Sequence, residues 1–233
     1  MQVEVFESDA EVIDAAATLA ETLLAAETAA HPSVAIAGGR SGRAFMLALA
    51  SRDGLPWSRL RLCVADESCG SEPGAVSNRH VLRQHVLVPR GLGQDEEGRR
   101  GIEGAAAERA AYAAEVETIA GRDVTFDLVL LELGPQGELG VLAPASAALS
   151  EANAGVVQVG DRRIGLGPGA LGRARRVIVL AVGSQCRQAL AAALRPTSDR
   201  LPAHLVAPSA RVTWLVDRAA ASVLLRDARA VRA

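Results

Sequence analysis

The sequence is short of cysteines, of aromatic residues and of long hydrophobic runs. Its three cysteines, Cys63, Cys69 and Cys186, are too few and too scattered for a disulfide framework or a zinc cluster. A formal net charge of −2 provides no general attraction to nucleic acid or to anionic lipid. No apolar run approaches the roughly 20 residues that a membrane helix needs. We therefore expect neither a disulfide-rich scaffold, nor a nucleic-acid binder, nor a membrane protein.

The first eight residues, MQVEVFES, lack the features of a secretory signal. They carry Glu4 and Glu7, with neither a basic start nor an apolar core. The scattered cysteines are typical of ordinary intracellular thiols. We therefore expect the protein to be cytoplasmic.

What the sequence does contain is an alternation of short apolar segments with longer amphipathic ones. Apolar residues make up 49% of the 233 residues and charged residues 22%, which is enough for a sizeable core. Strands are predicted over residues 1–6, 33–37, 59–65, 126–133, 156–160, 163–166, 176–182 and 211–216. Helices are predicted over residues 9–30, 41–50, 77–87, 103–120, 185–194 and 219–227. This pattern predicts one α/β domain over residues 1–233, a doubly wound parallel sheet with helices on both faces.

A Gly-rich turn follows the second predicted strand, at the end of the sheet where ligands bind in such folds. In Gly38-Gly39-Arg40-Ser41-Gly42, the glycines leave backbone N–H groups free to approach an anion, and the next helix adds the positive end of its dipole. Arg40 and Arg43 also favour an anion, because a guanidinium binds phosphate or carboxylate through two N–H groups. The alternative is a plain tight turn followed by solvated arginines.

Acidic residues follow two of the other predicted strands. Asp66 and Glu67 close the third strand, and one of them must face the crevice or bind backbone N–H groups. Glu138 lies in a turn after the strand FDLVLLEL, where a partly desolvated carboxylate is suited to act as a general base. The alternative for the acidic pair is a loop-anchoring role, and the alternative for Glu138 is an exposed loop position.

Six segments, in order along nearly the whole chain, resemble the 6-phosphogluconolactonases, within the larger group that contains the glucosamine-6-phosphate deaminases. The segments are AIAGGRSGRAF, WSRLRLCVADES, VSNRHVLRQHVL, FDLVLLELGPQGELGVLAP, RRIGLGPGALGRARRVIVLAVGS and RVTWLVDRAA. Trp57-Ser58 and Thr213-Trp214-Leu215 resemble the lactonase branch more than the deaminase branch. The resemblance implies a modified Rossmann-like α/β fold, a small-molecule sugar or sugar-phosphate ligand, and a monomer or weak dimer.

The chain departs from this family at positions that the family uses for chemistry. Members have an Asp-Gly-His triplet whose histidine is taken to be the base that activates water, and here the triplet is Gln136-Gly137-Glu138. The arginine after the family's Asp-Glu pair is Ser68 here, and the Ser-Thr-Pro after its paired glycines is Arg40-Ser41-Gly42. A lysine expected early in the late helix is also replaced, with Arg187 nearby. The retained family residues are Gly38, Gly39, Asp66, Glu67, Asn78 and Arg163.

Three functional hypotheses follow from this combination. The first is a hydrolase of the 6-phosphogluconolactonase type, with Glu138 as a carboxylate general base. The second is a repurposed enzyme on the same scaffold that acts on a different sugar-like substrate by proton transfer, as an isomerase does. The third is a non-catalytic sugar-binding protein, because the Asp-Gly-His triplet is lost.

The hydrolase hypothesis assigns a role to each retained or replaced residue. Its catalytic residues are Glu138, Asp66 and Gln136. Its residues for binding the substrate or its phosphate lie beside the predicted crevice, and they are Gly38, Gly39, Arg40, Ser41, Arg43, Ser68, Asn78, Arg163 and Arg187. No His, Cys and Asp set has metal-ligand spacing, and the Gly-rich turn lacks the G-x-G-x-x-G spacing of a nicotinamide site. We therefore expect no metal and no cofactor.

Overall fold

Two sheets organise the protein in a computed structural model that describes residues 2–68, 77–92, 105–195, 201–206 and 211–230. The central sheet contains β1 (Gln2–Phe6), β2 (Ser33–Ile36), β3 (Arg61–Val64), β5 (Leu128–Glu132), β8 (Arg176–Ala181) and β9 (Arg211–Asp217). Its order is β1-β9-β8-β5-β2-β3, and every neighbouring pair is parallel. The strands β4 (Asp66–Ser68), β6 (Val156–Val159) and β7 (Arg163–Leu166) form a smaller antiparallel sheet in the order β4-β7-β6.

Helices flank the central sheet. They are α1 (Asp9–Ala25), α2 (Gly39–Ala50), α3 (Asn78–Leu82), α4 (Ala105–Ala120), α5 (Pro168–Arg173), α6 (Arg187–Leu194), α7 (Ala203–Val206) and α8 (Ser222–Ala230). Short 3₁₀ turns lie at Ala147–Ser150 and Ser184–Cys186, and a π-helical turn at Arg83–Leu87 continues α3. None of the helices in the described part of the chain has the length and apolar character needed to cross a bilayer.

The core lies on the buried strands of the central sheet. Ile36 of β2, Leu130 of β5 and Val179 of β8 are all fully buried. Burying one such side chain contributes roughly 1.5–3 kcal/mol. Strands that are covered on both faces carry apolar residues at consecutive positions, which is why the sequence shows continuous apolar runs there.

The predicted α/β fold with a mostly parallel sheet is confirmed, and the structure adds the smaller sheet. The segments predicted to be extended at 156–160 and 163–166 form β6 and β7, which pair with each other. β7 also pairs with β4, so neither strand joins the central sheet. Pro168 is at the start of α5, since proline fits the first helical position, where its missing N–H has no partner to lose. The predicted helix 9–30 ends at Ala25, and the start of the predicted helix 103–120 lies partly outside the described residues.

The strand order changes direction between β2 and β5. From β2 the chain moves to β3 on one side, and then returns across β2 to β5 on the other side. A crevice forms where strand order reverses in this way, at the carboxyl ends of the two strands. The loops that follow β2 and β5 are therefore brought together at one edge of the sheet.

Candidate functional site

A cleft of about 270 Å³ opens at this edge. Its lining comes from the ends of β2, β5 and β8 and from the smaller sheet, and comprises Ala37, Gly38, Gly39, Asp66, Glu132, Leu133, Gly134, Pro135, Glu138, Gly140, Arg163, Gln185 and Cys186. Three carboxylates and one guanidinium are among these side chains. A concave site with convergent charged groups at the switch point of a parallel sheet is the first candidate for ligand binding.

The carboxylate of Glu132 lies against the first turn of α2. Its Oε2 accepts hydrogen bonds from the backbone N–H groups of Ser41 at 3.1 Å and Gly42 at 3.3 Å. Its Oε1 accepts a hydrogen bond of 3.0 Å from the Ser41 hydroxyl. These donors are the N–H groups that a helix leaves unpaired at its start, and the helix dipole favours a negative charge there. The chain therefore places its own carboxylate where the Gly-rich turn was predicted to hold an anion.

Glycine at position 39 is what allows this close approach. Its backbone φ is +77°, in the left-handed region that costs other L-residues energy. A Cβ atom added at Gly39 would lie 2.4 Å from Oε2 of Glu132. The turn after β2 and the carboxylate of Glu132 therefore fit together only with glycine between them.

Asp66 joins three parts of the site. Its Oδ1 accepts a hydrogen bond of 2.9 Å from the backbone N–H of Gly38. Its Oδ2 accepts one of 2.8 Å from Nη2 of Arg163, which lies on the neighbouring strand β7. Asp66 is buried, while the Arg163 side chain is 47% exposed. With both oxygens bonded, Asp66 is suited to positioning Arg163 at the cleft and not to abstracting a proton.

Glu67 and Asn78 anchor the loop behind the cleft. The buried carboxylate of Glu67 accepts hydrogen bonds from the Ser77 hydroxyl at 2.7 Å and from the backbone N–H groups of Asn78 and Arg79 at 3.1 and 2.8 Å. Nδ2 of Asn78 donates to the backbone carbonyl of Asp66 at 2.9 Å. For Glu67 the loop-anchoring alternative agrees with these contacts.

Glu138 is the carboxylate that the structure leaves least engaged at the cleft. It is half-buried, and its Oε2 accepts a hydrogen bond of 3.0 Å from the backbone N–H of Gln136. The turn that holds it is closed by bonds from Gly134 N–H to the Glu138 carbonyl at 2.9 Å and from Gly137 N–H to the Gly134 carbonyl at 3.0 Å. Throughout the part of the chain that the structure describes, no arginine forms an ion pair with Glu138.

The pKa of the Cys186 thiol is affected by the carboxylates near the cleft. Its Sγ donates a hydrogen bond of 3.3 Å to the Leu133 carbonyl. Burial raises the pKa of the Cys186 thiol, and the negative charges of Glu132, Asp217 and Glu138 raise it further, although a backbone hydrogen bond acts in the opposite direction. The thiol therefore stays protonated at neutral pH and lies beside an excess of negative charge.

The arginines predicted to hold a phosphate are directed to other groups. Arg40 lies 3.8 Å from Asp9 on the exposed surface, and Nη2 of Arg43 donates to Oδ1 of Asn78 at 3.1 Å. Nη1 of Arg187 donates to the Ser184 carbonyl at 2.8 Å. The structure does not bring these three side chains to the cleft lining, and their role in holding a phosphate stays a prediction.

The remaining predicted residues divide in the same way. Gly38, Gly39, Asp66, Glu138 and Arg163 line the cleft. The side chains of Ser41 and Asn78 are buried and bonded as described above, whereas Ser68 and Gln136 are exposed and lie outside the cleft lining. Gln136 donates its backbone N–H to Glu138, and its catalytic role stays a prediction.

Sequence reasoning missed Glu132, Gln185 and Cys186 as lining residues. Gln185 and Cys186 lie after β8, which is the neighbour of β5 in the sheet. For Glu132 a signal was present, because a charged residue at the carboxyl end of an otherwise apolar parallel strand must find a partner at the crevice.

Comparison with known proteins finds relatives that match most of the chain. The family described as glucosamine-6-phosphate isomerases/6-phosphogluconolactonase matches residues 7–214. A 6-phosphogluconolactonase of Streptomyces coelicolor is 32% identical over 219 residues, which covers 84% of this chain and 83% of the relative. A 6-phosphogluconolactonase of Synechocystis is 29% identical over 213 residues, covering 81% and 82%.

Solved structures share the fold. A 6-phosphogluconolactonase from Trypanosoma cruzi superposes with a TM-score of 0.78 at 23% identity, covering 96% of each chain. A monomeric glucosamine-6-phosphate deaminase gives a TM-score of 0.73 at 18% identity, covering 96% of this chain and 100% of that one. At these identities the likeness concerns the fold, which both branches of the family have.

Proposed function

Because the chain belongs to the glucosamine-6-phosphate isomerase/6-phosphogluconolactonase family, we propose that it opens the ring of a sugar-type lactone by hydrolysis, with Glu138 as the general base. The chain is a 6-phosphogluconolactonase-like protein. The observation that carries the proposal is the position of Glu138. It is a half-buried carboxylate at the switch-point cleft, whose lining also contains the guanidinium of Arg163.

The reaction needs a base for water and a donor for the oxygen that becomes negative. Glu138 takes a proton from water as the water oxygen bonds to the lactone carbonyl carbon. Arg163, held by Asp66, donates N–H groups to the carbonyl oxygen as negative charge develops on it. The ring C–O bond then breaks, and the departing oxygen takes the proton from Glu138. The product is a hydroxy acid, and Glu138 is again a carboxylate.

The experiment is a comparison of hydrolysis rates above the spontaneous rate. Two substrates are used, glucono-δ-lactone and its 6-phosphate, because relatives are named for the phosphorylated compound. We expect acceleration of at least one of them and its loss in Glu138→Gln. If neither lactone opens faster at high protein concentration, the hydrolase proposal is wrong and a non-catalytic sugar-binding protein becomes the better interpretation.

The cytoplasmic location and the monomeric or weakly dimeric state belong to the same proposal. The location is supported by the two described cysteines, Cys63 and Cys186, which are unpaired and buried as in proteins of a reducing compartment. The assembly state is what the family resemblance implies. Sedimentation over a range of protein concentrations tests the assembly state, and a tight higher oligomer would contradict it.

A further inference from the structure

The start of α2 is an anion position that the chain itself fills. It has two backbone N–H donors and one hydroxyl donor within 3.3 Å of a single carboxylate. That carboxylate belongs to Glu132, which is the last residue of β5 and lines the same cleft as Glu138. An external anion that sought these donors would therefore have to displace a group that is covalently tethered beside them, at a high effective concentration.

The charges around the cleft also disfavour the binding of an external anion. Asp66, Glu132 and Glu138 bring three carboxylates to the lining, to which Arg163 adds one guanidinium. Arg163 pairs with Asp66 at 2.8 Å, so among the residues that the structure describes one of the three carboxylates has a cationic partner and two do not. A phosphate dianion that entered this cleft would meet an excess of negative charge, whereas an uncharged polyol would not.

We propose that Glu132 is a specificity-determining residue, which occupies the anion position at the start of α2 and makes the cleft prefer a sugar lactone without a phosphate group. The preference for a lactone rests on the proposed function. The occupation of the anion position by Glu132 does not, and it is tested by binding alone.

The binding experiment uses inorganic phosphate and glucose 6-phosphate as probes, measured by isothermal titration against the wild type and three variants. Glu132→Ala empties the anion position, and Glu132→Gln keeps its volume but removes the charge. Glu138→Gln is the matched control, because it removes one carboxylate from the same cleft while Glu132 stays in place. We expect Glu132→Ala to bind both probes at least about tenfold more tightly than the wild type, since one hydrogen bond to a charged group is worth about that factor. Glu132→Gln should gain less, and Glu138→Gln least.

Two results would overturn the proposal. One is wild-type binding of the probes that is as tight as that of Glu132→Ala. The other is an equal gain in Glu138→Gln, because the effect would then be one of net charge and not of an occupied position. Thermal unfolding shows whether each variant is folded. Adding Ser41→Ala to Glu132→Ala should remove much of the gain, because the hydroxyl donor is then missing.

The kinetic experiment separates this proposal from the hydrolase proposal. We expect the wild type to have a higher kcat/KM for glucono-δ-lactone than for its 6-phosphate, and Glu132→Ala to shift the ratio at least about tenfold toward the phosphorylated lactone. A wild type that favours the 6-phosphate tenfold would refute the specificity proposal and leave the hydrolase proposal intact. If neither lactone is opened, the lactone preference falls with the hydrolase proposal, and the titration alone decides whether Glu132 occupies the anion position.

Discussion

The two sides of the cleft use their acidic residues differently. On the α2 side, Glu132 satisfies the backbone donors of Ser41 and Gly42, so this carboxylate is part of the scaffold. On the side of the turn 134–138, Glu138 accepts one backbone hydrogen bond and faces the cleft. The two acids lie six residues apart in the same segment of the chain, and they differ in the number of hydrogen bonds that their carboxylates accept. Substitutions on either side of the cleft test this difference between the two carboxylates.

The largest effect is expected on the side of the turn. Glu138→Gln should lower kcat for lactone hydrolysis by about 10²–10⁴-fold, because it removes the general base while keeping the shape of the side chain. Steady-state rates corrected for spontaneous opening measure this. Glu151→Gln is a suitable control, because Glu151 is a partly exposed glutamate 3.9 Å from Arg109 and outside the cleft. A rate in Glu138→Gln equal to that of the control would remove Glu138 from the mechanism.

A second effect concerns the ion pair between Arg163 and Asp66. Arg163→Ala should lower the free energy of unfolding by about 1–3 kcal/mol, because buried Asp66 loses the donor 2.8 Å away. The lower part of that range is expected, since the Arg163 side chain is 47% exposed and water screens the pair. Urea denaturation measures the change. Adding Asp66→Asn should recover part of the loss, and an additive second loss would show that the two side chains are not coupled.

A third effect tests the fit on the α2 side. Gly39→Ala should cost about 1–2 kcal/mol of stability from its left-handed backbone conformation, and more from contact with Glu132. The contact contribution should disappear in the Glu132→Ala background, where the backbone contribution remains. A double-mutant cycle by urea denaturation separates the two. Identical costs in both backgrounds would mean that Glu132 does not press on position 39.

The smallest effect is expected on the thiol of Cys186, which also lines the cleft. Because burial and nearby carboxylates raise the pKa of Cys186, its alkylation by iodoacetamide should be slow at neutral pH and should accelerate as pH rises. Glu132→Ala removes one of those charges and should speed the neutral-pH reaction of Cys186. Peptide mass spectrometry follows each cysteine separately. Cys63 is the internal control, because its raised pKa has other causes, burial and Glu115.

The position of the site was predictable from the sequence, whereas its contacts were not. Apolar runs that end in Gly38-Gly39 and in Gly134-Pro135 mark the carboxyl ends of β2 and β5, and parallel strands bring such ends to one edge. The partner of Glu132 depends on which strand neighbours β2, and sequence periodicity does not specify strand order. For the same reason Arg43 and Arg187 looked available for a phosphate, although Asn78 and the Ser184 carbonyl accept their hydrogen bonds.

The strand pairing of the smaller sheet was not predictable from the sequence either. Residues 156–160 and 163–166 were predicted to be extended, but period-two patterns do not reveal the partner of a strand. Asp66 and Glu67 looked like the end of the third strand, and the structure starts a new strand there, in antiparallel pairing with β7. That pairing is what brings Arg163 to Asp66, so the local prediction named both residues without foreseeing that they form an ion pair.

Ala65 is the single residue between β3 and β4, and it is bonded to both sheets. Its N–H donates to the Ile36 carbonyl at 2.8 Å in the central sheet, and its carbonyl accepts from Leu166 N–H at 2.9 Å in the smaller one. So short a junction ties the start of the smaller sheet directly to the end of β3. Arg163 and the glycine turn are thus preorganised relative to each other before any ligand arrives, and association should need little backbone reorganisation.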